Sequence, residues 1–225
     1  MKKMKKWVAA VAFALGFSLL APALLPMAGN GAVVEAANDK TNVKQTVKNF
    51  FKYSKTLNTK KMKTYADSNC KKTIDEIAPT LAIKAFMKKR NNSLSYSIKN
   101  VKISGNKASV KVKCKYLNSK NAYGKMMEDL MSWLAKEAAA GTDYSSYTEK
   151  ELIKIMDEVI EKSFADNPKA YDNKYRSKTF TIKLQKVKGK WKISQIDQNL
   201  LDAISSNYQS GIEEYFKSLS ADYGY

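Results

Sequence analysis

The chain has no histidine among its 225 residues, two cysteines, and two arginines against many lysines. Without histidine, a Ser-His-Asp or Cys-His relay, a histidine-ligated zinc site or a histidine-held haem cannot be built from this chain. Two cysteines alone cannot supply a Cys₄ zinc site or hold an iron–sulfur cluster. We therefore predict no metal site and no cofactor, and the composition favours a protein that is not an enzyme.

Positive charge is what the chain has in excess, with 40 Lys and Arg against 21 Asp and Glu and a net charge of +19. Four lysines in the first six residues precede an apolar run that reaches Leu25, and small residues follow as far as Ala37. This order is typical of a secretory signal peptide. We predict a signal peptide over 1–36 and a single exported domain over 37–225. The alternative is an uncleaved N-terminal membrane anchor, because the apolar run is long enough to span a bilayer. No cysteine precedes Cys70, which excludes a lipid-modified cysteine in this segment.

Charge divides the remaining chain into unlike parts. Residues 38–120 carry 21 basic and four acidic residues, whereas 121–166 carry five basic and ten acidic ones. The C-terminal part, 167–225, carries ten basic and six acidic residues. An acidic segment therefore interrupts a basic chain, and its apolar residues recur at helical spacing, which predicts an inserted helical hairpin.

The spacing of apolar residues predicts an α+β fold. Helical periodicity runs from Val43 to Leu57 and recurs on both sides of Pro79. Period-two alternation begins at Ser93, slips near Asn100 and continues to Tyr116, which predicts a bulged antiparallel hairpin. A second hairpin is predicted over 180–193, and one closing helix is predicted over 201–219.

Helices followed by a bent antiparallel sheet resemble the nuclear transport factor 2-like (cystatin-like) superfamily. The resemblance rests on the opening helices over 43–65 and on Gly189-Lys190-Trp191-Lys192-Ile193 with Ile196-Asp197, which looks like the final strand of that superfamily. The resemblance covers roughly 40–117 and 174–198. Exported bacterial domains of unknown function are similar in the same way. The resemblance implies N-terminal helices packed on a cone-like sheet around a pocket, with the helical insertion and the C-terminal helix as departures.

The resemblance makes the inner strand faces candidate pocket walls. Tyr65, Tyr96, Tyr116 and Trp191 are the candidate ligand-binding residues, since each combines an apolar body with a polar group. The alternative is that these rings are ordinary core. Asp197 is the weak catalytic candidate, because it follows the last strand, and it is equally suited to capping the next helix.

Cys70 and Cys114 are the only thiols of a chain that we expect to be exported. An oxidising compartment permits a disulfide between them, which would close a long loop. The alternative, a buried free thiol and an exposed one, is left equally open.

Lysines lie on or beside the predicted strands, and alternation turns several of them outward. The candidates for contact with an anionic surface are Lys111, Lys113, Lys115, Lys190 and Lys192. Their partner would be an anionic cell-wall polymer or a membrane surface. Nucleic acid is a poorer fit, because planar bidentate recognition favours arginine. The alternative is that these lysines serve solubility and protect exposed strands.

We expect the acidic insertion to dock on the basic sheet, with a partner protein or a second copy of the chain as the alternative, the latter giving a homo-oligomer. The function predicted from the sequence is that of an exported, non-catalytic binding or surface-associated protein of basic character. The alternative is a small-molecule-binding or lyase/isomerase-like pocket in the cone of the sheet.

Overall fold

The computed structural model of the protein describes residues 36–77, 81–145, 147–171 and 174–223. The predicted signal peptide lies outside these residues except for Ala36, where the first described helix begins. Within the described ranges, no helix is both long enough and apolar enough to cross a membrane.

Within the described residues, four helices precede the sheet: α1 (Ala36–Lys55), α2 (Thr59–Met62), α3 (Ser68–Glu76) and α4 (Leu81–Asn91), with a 3₁₀ turn at Lys63–Tyr65. The apolar face predicted for α1 is confirmed, because its members at 43, 47, 50 and 51 are fully buried. Asp67 begins α3 by accepting hydrogen bonds from the backbone N–H groups of Asn69 and Cys70, which would otherwise lack partners in the first turn.

The sheet has four antiparallel strands in the order β1 (Ser95–Ser104), β2 (Lys107–Leu117), β3 (Tyr175–Val187) and β4 (Lys190–Ile193). Both predicted hairpins are confirmed. The register of β1 against β2 shifts between Ile98 and Asn100, where the alternation of the sequence slips. Such a bulge adds one residue to one strand and increases the local twist of the sheet.

One face of the sheet packs against α1 and α4 and against a later helix, α7 (Gln198–Ile204). The apolar residues that β2, β3 and β4 turn to this inner face are buried: Val110, Val112, Cys114, Tyr116, Phe180, Ile182, Leu184, Trp191 and Ile193. Those of β1 at 96, 98, 101 and 103 are half-buried. The burial of a Val, Leu, Ile or Phe side chain stabilises a fold by about 1.5–3 kcal/mol. The predicted α+β class, with helices packed on an antiparallel sheet, is therefore confirmed.

Asp39 fixes the beginning of α1 to the sheet. It is buried, and its carboxylate accepts a hydrogen bond of 2.9 Å from the indole N–H of Trp191. Lys186 donates to the other carboxylate oxygen at 3.1 Å and lies over the Trp191 ring. The predicted exported chain is thus held to β3 and β4 within its first few residues.

The predicted C-terminal helix is confirmed as α8 (Tyr208–Tyr223), but it does not extend back to residue 201, because the separate helix α7 comes before it. Between them Ser206 and Asn207 adopt positive φ angles of 52° and 61°. Buried polar contacts hold this break: Ser206 donates to the Asn91 side-chain oxygen at 2.6 Å, and Asn91 donates to the Ile204 carbonyl at 2.5 Å. A continuous helix would use the Ile204 carbonyl in its own hydrogen bonds and take this partner from the buried Asn91 side chain, which is unfavourable.

The insertion between β2 and β3 is a helical hairpin, as predicted, formed by α5 (Lys120–Ala139) and α6 (Glu149–Asp166). Thr148 and Glu151 form a capping box at the start of α6. Asp129 of α5 joins the hairpin internally by accepting hydrogen bonds from Lys125, Ser163 and Tyr171.

The expectation that this hairpin docks on the basic sheet is wrong. In the described residues α6 packs against α4, and α5 packs against α8. Aromatic rings make these contacts: Phe86 of α4 meets Phe164 of α6 at 5.6 Å between centroids, and Tyr123 of α5 meets Tyr208 of α8 at 5.0 Å. The apolar side chains of the hairpin pack against apolar side chains of α4 and α8. Burial of apolar surface, and not electrostatic attraction to the sheet, therefore positions the hairpin.

Candidate anion-binding face of the sheet

The four strands contain two, four, four and two basic residues in chain order and no Asp or Glu. Alternation sends most of these basic side chains away from the helices. The lysines of this outer face are Lys102, Lys107, Lys111, Lys113, Lys115, Lys183, Lys190 and Lys192. The other outward positions of the central strands are mostly Ser and Thr. The outer face is therefore a surface of ammonium and hydroxyl groups.

The strand register arranges these side chains in rows that run across the sheet. Reading along β3 from Ser177 to Val187, each of the six outward rows contains at least one lysine. The rows are Ser95–Lys115–Ser177, Ser97–Lys113–Thr179, Asn100–Lys111–Thr181, Lys102–Ser109–Lys183, Ser104–Lys107–Gln185–Lys192 and Val187–Lys190. Ten residues of strand at about 3.3 Å each give this lysine stripe a length of roughly 33 Å.

The predicted residues Lys111, Lys113 and Lys115 form the central part of the lysine stripe. They are all exposed on β2, with successive outward side chains about 7 Å apart along the strand. Serine, threonine or asparagine lies beside each of them on both neighbouring strands. Lys115 also lies over the ring of exposed Tyr175, with its Nζ 4.5 Å from the centroid.

The outer and inner lysines differ in how their charge is balanced. Inward-facing Lys178 and Lys186 pair with Asp202 and Asp39 at 3.4 and 3.1 Å. Among the described residues, no carboxylate pairs with an outer lysine of the sheet. The positive charge of the outer face therefore remains available to a ligand from solution.

Lys190 and Lys192, the remaining predicted lysines, lie at the other end of the stripe on β4. Lys190 is exposed, whereas Lys192 is half-buried and donates a hydrogen bond to the carbonyl oxygen of Thr64. Partial burial, followed by the charges of Lys190 and Lys71, lowers the pKa of Lys192. Lys190 is thus the more available of the two.

A depression of about 230 Å³ lies in the middle of the outer face, beside the bulge of β1. Its lining residues all carry groups able to donate a hydrogen bond: Asn100, Lys102, Ser109, Lys111 and Thr181. The sequence alone does not show that Lys102 and Lys183 lie near Lys111, because their proximity depends on the register of three strands.

The four predicted pocket residues lie in separate places. Tyr116 pairs with Arg176 at one end of β3 and Trp191 pairs with Lys186 near the other, about 33 Å apart along the strand. Tyr96 stacks on Phe51 at 4.4 Å between centroids, and Tyr65 stacks on Tyr53 at 5.8 Å. The structure therefore does not bring the four rings around one cavity.

The hydroxyl of Tyr116 is buried and has no hydrogen-bond partner among the described residues. Burial, followed by the charge of Asp202, raises the pKa of Tyr116 to about 12. This phenol therefore stays protonated at neutral pH and cannot serve as a base there.

Asp197, the weak catalytic candidate, caps α7 by accepting a hydrogen bond of 2.9 Å from the backbone N–H of Leu200. Its carboxylate is used by the fold. In the described part of the chain, no three His, Cys, Asp or Glu side chains come together in a way that could hold a metal ion.

Cys70 and Cys114 are both buried and both free thiols. Burial raises the pKa of each thiol to about 12, so neither is an activated nucleophile. Cys70 lies in α3 and Cys114 on the inner face of β2. A disulfide between them in the exported protein stays a prediction.

Comparison with known proteins gives little to set beside this geometry. No family model matches the chain, and no curated protein matches it. A weak match among solved structures is the crystal structure of ycdA, a candidate lipoprotein of Bacillus subtilis, at 20% sequence identity and a TM-score of 0.34. The match covers 76% of this chain and 48% of that one, so this chain spans about half the length of the protein it matches.

Proposed function

We propose that the protein is an exported, non-catalytic binding protein that attaches to an anionic cell-wall polymer or membrane surface through the outer face of its sheet. The observation that carries the proposal is the lysine stripe, in which every outward row has a lysine and no strand has an acidic residue. The predicted signal peptide would bring this face into contact with such surfaces.

The docking of the acidic insertion supports the proposal. Because α5 and α6 pack on α8 and α4, the negative charge of the insertion does not neutralise the stripe. The outward side chains of β2 at 107, 111, 113 and 115 are all exposed. A surface built only for solubility would gain from mixed signs, since interspersed charges limit self-repulsion.

The chemistry of lysine indicates the kind of partner. An ammonium group is a compact charge on a flexible stem, suited to phosphates in variable positions, whereas planar bidentate contacts favour arginine. Each lysine near an anionic membrane surface contributes about 1 kcal/mol, so several weak contacts add up to useful affinity. Such binding weakens as salt screens the charges.

The resemblance to the nuclear transport factor 2-like superfamily belongs to the same proposal as a hypothesis about ancestry. It is supported by the order of helices and sheet. The inner face, which would line a cone, is packed against α1 through Phe51 and its stacking on Tyr96. This packing favours binding on the outer face over chemistry inside the sheet.

Sedimentation with lipid vesicles tests the proposal. At low salt we expect binding to vesicles that contain anionic phospholipid, and to isolated anionic wall polymer, but not to zwitterionic vesicles. The triple variant K111Q/K113Q/K115Q should bind roughly a hundredfold more weakly, from about 1 kcal/mol for each lysine.

The matched control is K48Q/K60Q/K84Q, which removes three exposed lysines from α1, α2 and α4 and has the same net charge. It should retain most of the binding. Equal losses in the two triple variants would show that net charge, and not the outer face, drives attachment. Absence of binding at low salt would overturn the proposal.

A further inference from the structure

We propose that the depression beside the β1 bulge is a binding site for a single phosphate group, held by Lys102, Lys111 and Lys183 around the Ser109 hydroxyl. The inference rests on the proposed function, because it names one discrete site within the outer face. It goes further by assigning a ligand group, a stoichiometry and the residues that would recognise it.

Strand register brings these three lysines together. Lys102 on β1 and Lys183 on β3 are the direct neighbours of Ser109 on β2. Lys111 is the next outward residue of β2 after Ser109. Direct cross-strand neighbours have Cβ atoms about 4.5–5.5 Å apart, and successive outward residues of a strand lie about 7 Å apart. Lys102 and Lys111 line the depression, and Lys183 lies beside it, where its long stem allows the ammonium to turn toward the Ser109 hydroxyl.

The bulge makes room for a ligand at this point. The register shift between Ile98 and Asn100 falls in the row that contains Lys111, and the depression lies in that row and the next. Its volume of about 230 Å³ is far above the roughly 10–15 Å³ that one water molecule requires on the same measure. This is ample for a tetrahedral oxyanion with part of the group esterified to it.

The lining contains donors and no carboxylate. Asn100 uses its side-chain oxygen to accept a hydrogen bond of 2.9 Å from the backbone N–H of Val101. This bond leaves the amide NH₂ as the group that can turn to a ligand. Ser109 and Thr181 add hydroxyl donors. A cation would meet only repulsion here, whereas a phosphate group has acceptor oxygens for each of these donors.

Convergence of three positive charges distinguishes this site from a simple row of lysines. In the rows of Lys113 and Lys115 each ammonium is flanked by hydroxyl groups only. A doubly charged phosphate monoester or inorganic phosphate gains most from three ammonium groups, whereas a phosphodiester carries one charge. The favoured ligand group is therefore a phosphate monoester or free phosphate.

An NMR titration with inorganic phosphate at low salt tests the site. We expect saturable shifts centred on the amides of Ser109 and Thr181, and the same shifts with glycerol phosphate, a soluble monoester. The double variant K102Q/K183Q should bind phosphate roughly thirtyfold more weakly. The matched control K113Q/K115Q removes the same charge from the same face and should keep the phosphate affinity.

The outcomes separate this inference from the proposed function. Vesicle binding without a localised phosphate response would overturn the phosphate site and leave the anionic face intact. Equal loss of phosphate affinity in the two double variants would also overturn it, because the lysines would then act only through general charge. Vesicles that display a phosphate monoester headgroup, compared with phosphodiester vesicles of equal charge, distinguish lipid from free phosphate as the source. A preference for the monoester vesicles assigns the headgroup, and equal binding assigns the soluble phosphate.

Discussion

The two faces of the sheet use the same strands for opposite purposes. On the inner face Val110, Val112 and Cys114 are buried under the helices, whereas Lys111 and Lys113 between them are exposed. Successive residues of a strand point to opposite faces, so one segment of β2 contributes both to the core and to the charged surface. Stability and binding can therefore be altered separately by substitutions at adjacent positions.

The largest effect is expected from exchanging an apolar and a charged side chain at two adjacent positions of β2, Val112 and Lys111. Val112→Lys places an ammonium on the inner face, where the carboxylates of Asp202 and Asp39 are already paired with Lys178 and Lys186. Burial of an unpaired charge costs several kcal/mol, so we expect destabilisation by about 4 kcal/mol or loss of the folded state. Urea denaturation followed by circular dichroism measures this effect.

Lys111→Val is the matched variant on the outer face. It should leave the urea midpoint nearly unchanged, since valine suits a strand and its neighbours there are not displaced. It should weaken attachment to anionic vesicles. Similar destabilisation by both variants would contradict the assignment of the two faces.

A smaller loss of stability is expected from disturbing the close packing of α8 against α5. A Cβ atom on Gly211 of α8 would overlap the carbonyl oxygen of Lys120 and lie 3.0 Å from its Cα. Gly211→Ala should therefore destabilise the protein by about 2 kcal/mol, because α8 or α5 must shift. Thermal unfolding at neutral pH measures the loss.

Gly124 of α5 provides the control, since a Cβ there meets only a ring carbon of Tyr215 at 4.0 Å. Gly124→Ala should be neutral or stabilising by up to about 1 kcal/mol, as expected for glycine replaced inside a helix. Equal effects of the two substitutions would mean that the close approach of α8 to Lys120 is not essential.

A smaller loss of stability is expected from removing the buried charge of Asp39. The hydrogen bond from Trp191 is the largest influence that holds the pKa of Asp39 below 3.8; burial opposes it, and Lys186 adds to it. A carboxyl group whose pKa is lowered by folding stabilises the protein above its unfolded pKa, and this contribution is lost as pH falls through the folded value. Asp39→Asn should therefore lower the urea midpoint at pH 7, and the difference from the wild type should shrink below about pH 4.

Because the Trp191 indole donates a hydrogen bond to Asp39, unfolding at each pH can be followed by Trp191 fluorescence. The control is Asp75→Asn, which removes an exposed carboxylate of α3 that pairs with Lys63 at 2.5 Å and is expected to change stability little. A difference between Asp39→Asn and the wild type that persists unchanged into acid would contradict the role of the Asp39 charge.

Local patterns were sufficient for the sheet and insufficient for the contacts of the insertion. Alternation of Val and Lys along β2 predicts both faces, because side-chain direction in a strand depends only on neighbouring residues. The slip near Asn100 was visible for the same reason. The capping box at Thr148 was also predictable, since its partners are three residues apart.

Long-range polar contacts were not predictable from the same patterns. Arg90 ends a basic run in the sequence, yet it is 1% exposed, donates to the Asn118 carbonyl at 3.2 Å and lies over the Phe86 ring. The break at Ser206 likewise depends on Asn91, more than a hundred residues away. The three lysines around Ser109 required the pairing of three strands. Sequence periodicity contains none of this information, because it describes one element at a time.

The bulge in β1 also affects how copies of the protein meet one another. β1 and β4 are the outermost strands of an open sheet, and exposed strand edges can pair with other chains and start aggregation. At the β4 edge, Ala66 bridges to Ile193 and partly occupies it. At the β1 edge, the register shift at Lys99 interrupts the regular spacing of backbone donors and acceptors that an added strand would need. Both features disfavour the pairing of edge strands between two copies of the protein.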